Sequence, residues 1–355
     1  MTGVGEAVNP YRLVGKIAQG DRFIGRAALL RRLQSVWVGS DRPANLRVLG
    51  HHRVGKSSLV RRALSTSPQE RPDLISVLLN VGDCKTGEDL FRSLARRVLA
   101  RARTRVPNLE PIGAAVQEAA EWYDLKESVR DFFAAVADAG LNVLLVLDEF
   151  DRASSVAGLA DFQLLRDLAS EPEFSLGLVT VSRRPIEVIE AAEAASQAGS
   201  ILGAVVIKPL YVGLFTDAEA DLMLARAASV GVGLAAVRDR IVDRAGLHPF
   251  LLEMLCGEVV QHHADTGELD VDAAYDMTVL EFHAQFDRLL KNIDADTGGR
   301  GVETLRRVAA GLPAMQEMPG VVQSLRLMGV LTGPADRPRL FSAEFGRYLL
   351  SGLVD

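Results

Sequence analysis

A lysine, a serine and two carboxylates are spaced along this chain as a phosphate-transfer site needs them. Gly50-His51-His52-Arg53-Val54-Gly55-Lys56-Ser57 fits the pattern GxxxxGK[ST]. The glycines let the backbone curl, so that successive N–H groups from Gly50 through Arg53, Val54, Gly55, Lys56, Ser57 and Ser58 can point inward at an anion. A helix beginning at the end of the loop adds its positive end to the same place. Lys56 then acts as a point charge on the β- and γ-phosphates, and the Ser57 hydroxyl as a ligand for Mg²⁺. Asp148 and Glu149 end an apolar run, "NVLLVL". Asp148 is placed to complete the Mg²⁺ shell, and Glu149 to orient or deprotonate the attacking water. Arg183 and Arg184 end another such run, "LGLVTVS", where a guanidinium can report the γ-phosphate. Two adjacent arginines cannot both face one site, and Arg183 is the expected one. Asp151 is ambiguous, with Arg152 or another protein as its partner.

These residues need strands that end together and a helix that starts at the loop. "NLRVLG" reads as a short buried strand and "KSSLVRRAL" as the helix after it. "DLISVLLNV", "NVLLVLDEFD", "LGLVTVSRRP" and "GAVVIKPL" read as further buried strands, the last stopped by Pro209. Between them lie helical segments: "RAALLRRLQSVWV" ending at Gly39-Ser40, "GEDLFRSLARRVLARAR" with arginines outward, and a long one from about residue 112 to 139 after a loop at "NLEPIG". Uninterrupted apolar strands alternating with helices predict an α/β fold with a parallel-sheet P-loop core over residues 20–213. Residues 1–19 are expected to be an N-terminal extension. From Thr216, an N-cap ahead of Asp217 and Glu219, the pattern is helical and predicts a helical lid over 214–292. "DADTGGRG" reads as a linker. Two more helices, a hairpin at "GVLTGPADRPRLFS" and a closing helix predict a winged-helix domain over 293–355.

The bulk numbers narrow the class. At 355 residues with 48% hydrophobic and 24% charged residues, the chain is globular and long enough for two or three domains. A formal charge of -6 provides no global basic field for nucleic acid or anionic membrane. The two cysteines, Cys84 and Cys256, lie in no CxxC arrangement, which points to a reducing, cytoplasmic setting. No leader, membrane span or repeat is expected. The pairs His51-His52 and His262-His263 are not expected to bind metal, because adjacent residues seldom converge on one ion. The arginines of "FRSLARRVLARARTR" read as a solvated helix face.

"RVLGHHRVGKSSLVRR", "LLVLDEFD" and "VTVSRRP", with "FIGRAALLRRL" upstream and "AGLHPFLLEMLC" downstream, resemble the STAND branch of AAA+-related P-loop ATPases, close to the archaeal-type group. The resemblance implies ATP and ADP with Mg²⁺ as ligands. It implies that Gly25 and Arg26 frame the adenine, that Arg183 is the sensor arginine, and that Pro249 of the lid, after His248, closes over the base. The chain departs from the family at Ala27, where an acid often stands, and at Leu247, where many members have a second glycine. The implied activity is a slow ATPase switch: ADP holds it closed, ATP exchange opens it and hydrolysis resets it. Sensor and effector functions would come from protein partners. Slow turnover suits that job, since only contacts available in one nucleotide state can move such an equilibrium.

A second resemblance, of a P-loop core with a winged helix, is to origin-recognition initiators and helicase loaders. It implies DNA contacts through Arg306, Arg307, Arg326, Arg337 and Arg339, which Glu303, Glu317, Asp336 and Glu344 offset in charge. The sequence favours the signalling or defence switch over the DNA-binding ATPase. A scaffold that binds nucleotide without hydrolysis is a third reading, and Glu149 argues against it. An arginine acting in trans would need a homo-oligomer, for which the sequence leaves room.

Overall fold

A computed structural model describes residues 8–37, 41–106, 108–191, 200–314 and 319–351, with backbone alone over 66–70. The expected helix end at Gly39-Ser40 and the acid Glu317 lie outside those residues. The chain forms two compact units. One joins Ala27–Gly50 to Lys56–Tyr211, and the other joins the residues up to Arg26, the short stretch His51–Gly55 and the chain from Val212 onward.

The first unit is built on five parallel strands: β1 (Leu46–Leu49), β2 (Leu74–Asn80), β3 (Asn142–Asp148), β4 (Leu176–Ser182) and β5 (Pro209–Tyr211), in the order β2-β3-β4-β1-β5. Every residue of β4, and every residue of β3 after Asn142, is buried. Their unbroken apolar runs are what a strand covered on both faces requires. With β4 between β1 and β3, the carboxyl ends of these three strands lie side by side. Gly50, Glu149 and Arg183 each follow one of those ends, at the edge where ligands of open α/β sheets bind. The order of strands, which no local pattern encodes, is therefore what gathers the candidate residues.

Helices α1 (Ala27–Trp37), α2 (Lys56–Glu70), α3 (Gly87–Ala102), α4 (Leu109–Glu118), α5 (Trp122–Asp138), α6 (Leu159–Ser170) and α7 (Ile186–Glu190) belong to this unit. Phe91, Phe132, Phe133, Phe150, Phe162 and Phe174 are fully buried among them. Each such ring stabilises the fold by about 1.5–3 kcal/mol through removal from water.

Three expectations change. The helix expected over 112–139 is two, because the buried face turns over. Val116 in α4 and Leu125 in α5 are both buried, yet nine residues of unbroken helix would set them on opposite sides. The chain breaks at Ala119 (ψ 121°) and Glu121 (ψ 151°) instead. "NLEPIG" is largely helical, since α4 starts at Leu109 and tolerates Pro111 in its first turn. Pro209 opens β5 rather than stopping a longer strand: the N–H groups of Val205 and Val206 turn back to Leu202 O at 3.1 and 3.0 Å. A proline is tolerated at the start of an edge strand, where its missing N–H breaks no ladder.

The second unit is helical. It contains α8 (Asp217–Ala225), α9 (Arg238–Ala245), α10 (Pro249–Thr266), α11 (Val271–Thr297), α12 (Arg300–Ala309), α13 (Pro319–Leu327) and α14 (Ala343–Ser351), with a hairpin of β6 (Leu331–Thr332) and β7 (Arg339–Leu340) before the last helix. Thr216 caps α8 as expected: its Oγ1 accepts from Glu219 N–H at 3.3 Å, and Glu219 Oε2 accepts from Thr216 N–H at 2.9 Å. The expected linker is mostly helix. Buried Ile293 carries α11 on through Thr297, and only Gly298 (φ 58°) and Gly299 (φ 84°) separate it from α12. Phe286 of α11 stacks with Phe341 at 6.2 Å and Phe345 at 5.1 Å between ring centroids. The helices before Gly298 and those after it thus share one apolar core.

Candidate nucleotide site

In the sheet unit, Gly50 ends β1 and Lys56 begins α2. Lys56 Nζ donates to Gly50 O at 2.8 Å, so the two ends of the phosphate loop are tied across its mouth. Ser57 Oγ donates to Asp148 Oδ1 at 3.1 Å. Asp148 is buried and its Oδ1 also accepts from Glu149 N–H at 3.0 Å. Burial lowers the Lys56 ammonium to about 8; the carboxylates of Asp151, Asp148 and Glu149 oppose that shift and the Arg183 guanidinium adds to it. Asp148, Glu149, Asp151 and Arg183 therefore all act on the charge of Lys56.

Glu149 has a left-handed backbone (φ 53°), which turns the chain sharply off β3. Its side chain is exposed and leans toward the end of β2, with Oε2 3.1 Å from where a Cβ on Gly82 would sit. Asn80 stands there, in register with Asp148, and its Oδ1 accepts from Gly82 N–H at 2.8 Å. Sequence reasoning missed Asn80. Its signal was a polar residue ending an apolar strand, the same feature that exposed Asp148.

Asp151 does not pair with Arg152. Its Oδ2 accepts from Arg183 N–H at 2.6 Å, its Oδ1 from Arg184 N–H at 3.0 Å and from Arg184 Nε at 3.2 Å, and its carbonyl from Arg184 Nη2 at 2.9 Å. The Arg184 fork is thereby directed onto residue 151.

In the helical unit, the remaining candidates form a second group. Gly25 (φ 60°), Arg26 (φ 58°), Arg53 (φ 62°) and Gly55 (φ 95°) all have left-handed backbones, which is unusual for the two arginines. Arg26 is buried; its guanidinium donates to Leu214 O and Gly213 O at 2.8 Å each and to Val54 O at 3.3 Å, and lies 4.7 Å from the centroid of Phe215. Burial lowers it to about 10, against the pull of Glu219. The Glu219 carboxylate also accepts from Arg26 N–H. The Arg53 guanidinium lies 4.0 Å over the ring of Phe250, next to Pro249 at the start of α10. His248, before Pro249, is buried, has no hydrogen bond at Nδ1 among the described residues, and is held neutral by burial and by His52, at about 3. Ser58 lies in the first turn of α2.

The structure thus brings together Gly50, Lys56, Ser57, Asp148, Glu149 and Arg183 in one group, and Gly25, Arg26, Arg53, Val54 and Pro249 in the other. Glu219 was legible only as a helix cap; its second task, holding the backbone of Arg26, has no local signal.

Residues 22–181 match the AAA ATPase domain family. The matched stretch runs from just before α1 into β4, one residue short of its end, and it includes Gly25, Arg26, the whole phosphate loop, Asp148 and Glu149. No curated protein matches the sequence. Among solved structures, the Walker-type ATPase of Pyrococcus abyssi is similar at a TM-score of 0.61 and 15% identity, over 96% of this chain and 99% of that one. The ORC1 protein of Aeropyrum pernix, in complex with DNA, is similar at 0.51 and 14% identity, over 94% of both chains. The ORC2 protein of Aeropyrum pernix, in ADPNP–ADP complexes, is similar at 0.52 and 12% identity, over 92% of this chain and 93% of that one. At these identities the likeness is one of fold, a P-loop ATPase sheet followed by a helical region.

The protein groups fit Mg²⁺. Ser57 Oγ and Asp148 Oδ1 are hard oxygens already side by side, and this ion takes few protein ligands and keeps waters and phosphate oxygens for the rest. Among the described residues no group of three or more His, Cys, Asp or Glu could hold a metal by itself. Among the same residues no helix is long and apolar enough to cross a membrane.

Proposed function

We propose that this chain binds and hydrolyses ATP with Mg²⁺ and that its nucleotide state governs contact with duplex DNA. The observation that carries the first part is the pairing of Ser57 Oγ with Asp148 at 3.1 Å beside a half-buried Lys56. Lys56 would exchange its bond to Gly50 O for phosphate oxygens. Ser57 and Asp148 would hold Mg²⁺, which when bound neutralises charge on the β- and γ-phosphate oxygens. Glu149, exposed at the strand end, would orient the attacking water and accept its proton. Arg183 would contact the γ-phosphate. The Arg26 guanidinium is directed to three carbonyls of its own unit, so Gly25 and Arg26 would contribute through the backbone they shape. Nucleotide binding by the parent chain, lost in Lys56→Ala, tests this part.

The DNA part rests on the hairpin between β6 and β7, read as the wing of a winged helix. Arg337 and Arg339 are exposed there and make no ion pair among the described residues, whereas Arg238, Arg240, Arg244 and Arg347 of the same unit all pair with carboxylates. Arg326 is spent on Gly333 O and Pro334 O, which shape the hairpin. The fold shared with a protein solved on DNA supports this reading over the sequence-level preference for a signalling switch. Duplex binding that weakens with salt, and is lost in R337E/R339E, tests it.

The second reading is a STAND-type switch worked by protein partners, and the net charge of -6 favours it. In that case R337E/R339E would leave function intact, and partners would co-purify with the ATP or ADP form alone.

A further inference from the structure

We infer that Asp151 is the residue that positions Arg183, so that the γ-phosphate contact depends on a carboxylate that touches no nucleotide. The inference rests on the nucleotide reading above. Both oxygens of the carboxylate are used on consecutive backbone amides after β4: Oδ2 takes Arg183 N–H at 2.6 Å and Oδ1 takes Arg184 N–H at 3.0 Å. A carboxylate gripping two successive N–H groups fixes the direction in which both side chains leave the backbone. The same Oδ1 then takes Arg184 Nε at 3.2 Å, and the Asp151 carbonyl takes Arg184 Nη2 at 2.9 Å. One arginine of the pair is thus turned back onto residue 151. Ser182 Oγ closes the turn by donating to Arg184 O at 2.7 Å.

The clamp reaches across two loops. Asp151 follows β3 and the arginines follow β4, and the strands are neighbours. The left-handed turn at Glu149 swings residue 151 toward the end of β4. The site thereby links the loop that carries the candidate base to the loop that carries the candidate sensor. The charges around Lys56 agree with this placement, since both Asp151 and Arg183 act on its ammonium.

The test compares affinities of the full chain for Mg²⁺ with AMP-PNP and for Mg²⁺ with ADP, by titration calorimetry, in the parent, D151A, D151N, R183A and D151A/R183A. Loss of one charge-assisted contact to the γ-phosphate should lower the ratio of AMP-PNP to ADP affinity roughly tenfold. R183A and D151A are expected to lower it equally, with ADP affinity little changed, and D151A is expected to add less than twofold in the R183A background. D151N keeps one acceptor, is expected to fold, and should fall between. A merely structural role would weaken both ligands together. The inference is overturned if D151A and D151N keep the parent ratio, if D151A lowers it as much without Arg183 as with it, or if R183A leaves it unchanged. A parent chain that binds neither ligand removes the nucleotide reading itself, and the inference with it.

Discussion

Replacing Gly25 with alanine should unfold the start of α8, although Gly25 and α8 are remote in sequence. Gly25 has φ 60°, and a Cβ there would lie 2.8 Å from Glu219 Cδ and closer still to its Cγ and Oε1. The carboxylate must move, and it is the acceptor for both Arg26 N–H and Thr216 N–H. The left-handed backbone costs alanine about 1 kcal/mol. The partly buried bond from Arg26 contributes about 2 kcal/mol and the exposed one from Thr216 about 1 kcal/mol. Gly25→Ala should therefore destabilise the helical unit by about 4 kcal/mol. Glu219→Ala alone should cost about 3 kcal/mol for the same two bonds. In that background the clash is gone, and the added cost of Gly25→Ala should fall to about 1 kcal/mol. Hydrogen–deuterium exchange of peptides covering residues 216–225, with urea titrations of all four proteins, reads these differences. A glycine substitution that costs the same with and without the glutamate would refute the steric account.

The pH dependence of nucleotide affinity should follow Lys56. With its ammonium lowered to about 8 by burial, roughly nine-tenths of the free protein is protonated at pH 7 and one-tenth at pH 9. If only the ammonium grips phosphate, affinity should fall about tenfold between those values, a slope that titration calorimetry should find absent in Lys56→Met. The sign for stability is opposite. The unfolded chain binds the proton more tightly, so the nucleotide-free protein should gain stability from pH 8 toward 10. Glu149→Gln should reduce turnover by about 10²–10⁴-fold while ATP still binds, as single-turnover phosphate release would show. Gly246→Ala should disrupt the helical unit by more than 3 kcal/mol, measured in urea, because φ is 60° and the new Cβ would sit against the backbone carbonyl of Phe341.

Much of the site was readable from local pattern. The phosphate loop, the acids after β3 and the arginines after β4 each combine an apolar strand with a fixed residue type, and both features are encoded by neighbours in sequence. Errors fell where distant residues decide. The break between α4 and α5 exists because Val116 and Leu125 are both buried on faces that one straight helix could not share, and the short β5 depends on which strand lies at the edge. Asn80 and Asp151 were undervalued for the same reason, since their worth comes from strands that pair in space.

Sequence alone determined the chemical types available: a glycine loop with a lysine and a serine, two acids and two arginines, each at the end of an element it could name. Tertiary structure decided which of them meet. The order β2-β3-β4-β1-β5 sets three strand ends side by side, Asp151 turns Arg184 back onto residue 151, and Glu219 fixes the backbone of Arg26. Hydrogen bonds and contacts of this kind span more than thirty to nearly two hundred residues. No local propensity specifies them; they follow from the packing that buries the apolar faces of the elements within each unit.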